Sequence, residues 1–123
     1  GDYFAMGDMG LLPTYFAGES YPLSVAECLN AGKPVMATEV AEIPNQLKAE
    51  NGELAGILVK LKDGKVDMQD MTEKMRDIVT DRANYEKISK QVQSAAEKFH
   101  LSEIVQKHYE IYQEVMNEKE EVC

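Results

Sequence analysis

The chain has 123 residues, 44% hydrophobic and 28% charged, which bounds it to one globular domain around one core. Its 13 Lys and Arg against 22 Asp and Glu leave a net charge of −9 spread along the sequence. That excludes nucleic acid as a partner, because a phosphate backbone is gripped by clustered cations. No apolar run approaches the ~20 residues of a membrane span. The opening GDYFAMGDMG shows no secretory pattern, and the two cysteines, Cys28 and Cys123, form neither a disulfide framework nor a zinc spacing, so a reducing, cytoplasmic setting is expected.

In chain order, the apolar run MGLLP at 9–13 reads as a buried strand closed by proline. A helix from Pro22 to Ala31 follows, with Pro near its first position and Gly32 just past its end. The run KPVMAT at 33–38 reads as a second buried strand, a short helical segment lies around Pro44 to Lys48, and GILV at 56–59 reads as a third strand before the charged turn KDGK. Short apolar strands separated by helices predict an α/β chain with parallel pairing. From Val66 onward the period changes to that of helices. Met68, Met71, Met75, Ile78 and Val79 form one stripe, Tyr85, Ile88, Val92, Ala96 and Phe99 a second, and Leu101 to Val115 a third. Three amphipathic helices with core-facing stripes are expected, His108 lying satisfied on the last and His100 at a junction, with neither a metal ligand. The tail after Met116 is expected to lack fixed structure. The organisation expected is a βα part at 1–60, a helical part at 61–117 and an acidic tail at 118–123.

The stretch GESYPLSVAE at 18–27 carries the chemistry. A helix starting near Pro22 presents unpaired N–H groups and a partial positive charge, the features that bind phosphate. Glu27, five residues in, lies roughly 7 to 8 Å along the axis at ~1.5 Å per residue, about the distance from a diphosphate to a ribose. Glu19 would stand on the other side of the phosphates. The plain alternative is that carboxylates gather near helix N-termini because the dipole favours them there. What separates the two readings is position: the loop follows the C-terminal end of an apolar strand, where parallel sheets bind ligands.

The run LLPTYFAGESYPLSVAECLNAGKPVMATEVAEIPNQL resembles the second half of the C-terminal domain of glycosyltransferase family 4, a group of retaining GT-B enzymes that use nucleotide sugars. The matching positions are Pro13 and Thr14, Glu19, Glu27 after seven intervening residues, Gly32, Pro34, Val35 and Gly56. The chain departs from the family at Ala41 and Glu42, where a Gly-Gly pair is usual, and at Asn45, where Glu follows Pro. The resemblance implies a partial Rossmann-like sheet of about three strands with C-terminal amphipathic helices, a fragment of a GT-B C-terminal domain. It implies Glu19 as the catalytic carboxylate beside the donor sugar, and Glu27 on the ribose hydroxyls. Ser20, Tyr21, Pro22, Leu23 and Ser24 would form the donor-binding loop, their backbone facing the diphosphate. With no Asp-x-Asp pair in the sequence, the implied chemistry needs neither metal nor other cofactor.

The resemblance further implies that the acceptor domain and the basic side chains on the diphosphate lie outside this chain, which is expected to be inactive alone. The parent enzyme would serve polysaccharide or glycolipid biosynthesis, peripheral membrane association included. An unpaired strand edge at Met9 to Pro13 predicts that the isolated chain self-associates as a homodimer. The competing expectation is a noncatalytic α/β interaction module, in which Glu19 and Glu27 serve salt bridges or caps.

Overall fold

A computed structural model describes residues 2–122, with side chains described over 3–117. After a short helix, α1 (Asp2–Met6), come β1 (Gly10–Leu12), α2 (Leu23–Asn30), β2 (Val35–Thr38), α3 (Ile43–Leu47) and β3 (Gly56–Val59). The three strands pair in parallel in the order β1-β2-β3, Gly10 opposite Val35 and Val35 opposite Gly56. β2 is the middle strand and all four of its residues are buried. Its alternation divides the core: Val35 and Ala37 join Val25, Leu29, Ile43 and Leu47 on one face, while Met36 joins Val59 and Ile78 on the other. Gly56 has no substitute, because a Cβ there would stand 2.1 Å from the Val35 carbonyl oxygen.

The α/β class and the parallel order are as expected, and so is GILV as a strand. β1 lies at the edge of the sheet, as expected, but it is not the buried strand its apolar run suggested, with Leu11 51% exposed. The turn Asp63–Gly64, both residues at positive φ, closes a two-stranded hairpin that the sequence reading passed over, β4 (Leu61–Lys62) and β5 (Lys65–Val66).

The helical part holds four helices instead of three: α4 (Met68–Thr80), α5 (Arg82–Ser89), α6 (Val92–Glu97) and α7 (Leu101–Val122). Asp67 caps α4 by accepting from the N–H groups of Gln69 and Asp70, and Asp81 caps α5 by accepting from that of Asn84. The second expected stripe divides at Lys90 and Gln91 for a reason of packing. Tyr85 and Ile88 pack on the face with Met36, and Val92, Ala95 and Ala96 belong to the face with Val35, so one straight helix cannot serve both.

The core reading of the methionine stripe holds only in part. Ile78 is buried and Met71 half-buried, but Met68 and Val79 are 64% and 78% exposed. α7 is exposed along all of 101–117, so its stripe is not core, and His108 is in water with Nδ1 2.8 Å from the Ile104 carbonyl oxygen. The segment after Met116 continues as helix to Val122, and its side chains beyond residue 117 lie outside those described. No helix among the described residues is long and apolar enough to cross a membrane.

Candidate functional site

β1 ends at Leu12 and delivers the loop 13–22, which runs into α2 at the C-terminal end of the sheet. The loop is built by its own hydrogen bonds: the Phe16 N–H donates to Thr14 Oγ1 at 3.3 Å and the Glu19 N–H to the Phe16 carbonyl at 3.0 Å. Pro22 is the N-cap, at φ −65° and ψ 121°. A proline cannot donate there and has no side-chain oxygen, so no side chain caps the first turn of α2. The dipole and free N–H groups of that turn are therefore not neutralised from within the helix.

The residues expected at the site are distributed as follows. Glu19 is half-buried in the loop, Ser20 and Tyr21 are exposed, Pro22 is buried, Leu23 is exposed and Ser24 is half-buried. Glu27 is exposed, the fifth residue of α2, about 6 Å along the axis from Leu23. Its neighbour Cys28 faces the core, where burial and then the Glu27 charge push the thiol pKa up, so it is an inert packing residue. Neither glutamate has an ion pair among the described residues, so the salt-bridge use of Glu19 and Glu27 finds no support.

Two features of the site escaped the sequence reading. Tyr15, Phe16, Tyr21 and Leu23 are all exposed around the loop, with Tyr21 edge-on to Phe99 at 6.1 Å. Three aromatics within seven loop residues were the available signal. The second feature is a set of long-range ties: Thr38 Oγ1 donates to the Thr14 carbonyl, the Glu42 N–H to the Ser20 carbonyl at 3.3 Å, and Gln46 Nε2 to the Pro22 carbonyl at 3.2 Å. Ala41 takes the left-handed conformation at φ 47°, which a Cβ disfavours by roughly 1–2 kcal/mol. The loop therefore keeps the backbone path of a glycine without having one.

The local charge is one-sided. Residues 1–32 contain no Lys or Arg, and Glu39 and Glu42 stand exposed on the next loop. An anion at α2 would meet only N–H groups and the helix dipole from this segment. A cleft of about 710 Å³ lies elsewhere, between the end of α3 and the start of α7. Lys48, Lys98 and Lys107 line it together with Glu50, Glu97 and Glu103, so it has no net sign. Lys98 is already engaged, donating to the carbonyls of Asn45 at 2.6 Å and Lys48 at 2.5 Å. Burial, ahead of the neighbouring Lys107 and Lys48, holds the Lys98 pKa down. Among the described residues no three His, Cys, Asp or Glu stand together as a metal site.

No family model matches the chain, and no curated protein matches it in sequence. Its fold does match a solved structure, sucrose-phosphate synthase from Thermosynechococcus elongatus, with a TM-score of 0.71 at 19% identity. The match covers 94% of this chain and 27% of that one. The chain thus spans about a quarter of the enzyme it resembles, and its fold is that of part of a GT-B glycosyltransferase.

Proposed function

We propose that the chain is the second half of a donor-binding domain in a retaining glycosyltransferase of the family 4 kind, acting on a nucleotide sugar without a metal. The observation that carries this reading is the uncapped start of α2 at the C-terminal end of a parallel strand, with an exposed carboxylate five residues on. In it, the N–H groups of Tyr21, Leu23 and Ser24 hold the diphosphate and Glu27 accepts from two ribose hydroxyls. Glu19 lies against the sugar, where a carboxylate stabilises positive charge developing at the anomeric carbon as the sugar–phosphate bond breaks. The cations that neutralise the departing diphosphate, and the acceptor site, come from the rest of the enzyme. This fits the lack of Lys and Arg in residues 1–32. The parent enzyme works in the cytoplasm on polysaccharide or glycolipid precursors.

Nucleotide binding to the longest protein that carries this sequence tests the reading. Glu27→Ala should weaken binding by about 1–3 kcal/mol through lost hydrogen bonds to ribose. Undiminished affinity would reject the ribose role. A second reading, a noncatalytic interaction module, draws on the exposed stripe of α7. It predicts that no nucleoside diphosphate binds at millimolar concentration.

A further inference from the structure

Three donors from the end of β2 onward, four residues apart, hold three carbonyls of the loop before α2: Thr38 on Thr14, Glu42 on Ser20, Gln46 on Pro22. Gln46 is unlike the other two. It is 1% exposed, on the same side of α3 as the fully buried Ile43 and Leu47, a position that packing alone would fill with an apolar residue. Its Nε2 is spent on Pro22, and its Oε1 is buried with no hydrogen-bond partner among the described residues. The amide is therefore poorly served by this position, and its one bond goes to the cap of α2.

That bond has a directional consequence. The peptide group is planar and trans, so the carbonyl of one residue and the N–H of the next point in opposite directions within one rigid unit. Fixing the Pro22 carbonyl fixes the Leu23 N–H, and the Glu42 tie to the Ser20 carbonyl fixes the Tyr21 N–H in the same way. The Pro22 carbonyl also accepts from the Val25 N–H at 3.3 Å, so Gln46 takes its second lone pair and sets the plane of the unit. We propose that Gln46 is a positioning residue, which aims the Leu23 N–H out of the first turn of α2 at some cost in fold stability. The inference rests on the reading of that turn as the diphosphate site.

Gln46→Met, close to Gln in shape, removes both the tie and the orphaned oxygen. Three quantities decide: the melting temperature, the NMR order parameter of the Leu23 N–H without ligand, and affinity for UDP, GDP and ADP. A melting temperature equal to or above that of the original chain is expected, with a lower order parameter at Leu23 and nucleotide binding weaker by about tenfold. Gln46→Glu at pH 5.5 should restore the order parameter, because a buried, protonated carboxyl can donate to Pro22 where an ionised one cannot. An unchanged order parameter and affinity in Gln46→Met would overturn the role, as would a fall in melting temperature that accounts for both losses. If the original chain binds none of the three nucleotides, the diphosphate reading fails. The positioning of Leu23 is still judged by its order parameter alone.

Discussion

The βα half and the helical half of this molecule are held by different means. Around β2 the apolar side chains close on one another: Val25, Leu29, Val35, Met36, Ile43 and Leu47 are all 1% exposed or less. In the helical half, Ile78, Val92, Ala95 and Ala96 are the buried hydrophobic residues among those described, and polar ties supplement the packing. Lys74 donates to the Leu58 carbonyl and to Asp70, Asp70 accepts the Lys60 N–H, and the Tyr85 hydroxyl donates to the Asp8 carbonyl. α7 contributes an apolar stripe that touches water. An amphipathic pattern thus marks a face that is to be covered, without saying that this chain does the covering.

The comparison breaks most visibly at Gly56. Gly56→Ala should cost about 3 kcal/mol or more, because its Cβ meets backbone on the central strand and nothing flexible can yield. A soluble variant melting within a few degrees of the original would show that β2 and β3 are further apart than described. Next, Leu29→Ala should cost about 2–5 kcal/mol through the cavity it leaves. Ile111→Ala on α7, 56% exposed, should stay within about 0.5 kcal/mol. We expect the latter substitution to weaken self-association of the chain in light scattering instead. A strict monomer at micromolar concentration would mean that neither the stripe nor the β1 edge recruits a second copy.

The smallest effect concerns the polar ties. The hydrogen bond from Lys74, then that from the Lys60 N–H, holds the Asp70 carboxyl below its ordinary range. A depressed carboxylate pKa adds stability that is full above the unfolded value of about 3.9 and is lost as the pH falls through the folded value. Asp70→Asn should therefore cost about 1 kcal/mol at neutral pH, and its deficit should shrink in acid below about pH 4. A deficit of constant size across that range would place the effect in packing.

How much was legible follows the same division. GILV and VMAT could be read as strands because a short apolar run between glycine or proline and a charged turn has few other uses. The edge position of β1 could also be read, but the exposure of its middle residue could not, since Leu11 looks like any core leucine until its surroundings are known. The split between α5 and α6 was hidden because Tyr85 to Phe99 keep one helical period while changing from one face of the sheet to the other. Asp63–Gly64 did announce a hairpin, with strands too short for periodicity to register. At the site, Glu19, Glu27 and Pro22 were visible as a motif. Gln46 was not, because a polar residue in a five-residue helix reads as solvent-facing, and only its burial shows that it reaches Pro22.

The central claim is that the start of α2 is a diphosphate site, and residue-resolved amide shifts during titration with a nucleoside diphosphate test it most directly. The account predicts the largest shifts at Tyr21, Leu23 and Ser24, with smaller ones at Glu19 and Glu27 and none along α7. Shifts confined to the cleft beside Lys48 and Lys107, or none at millimolar nucleotide, would contradict it.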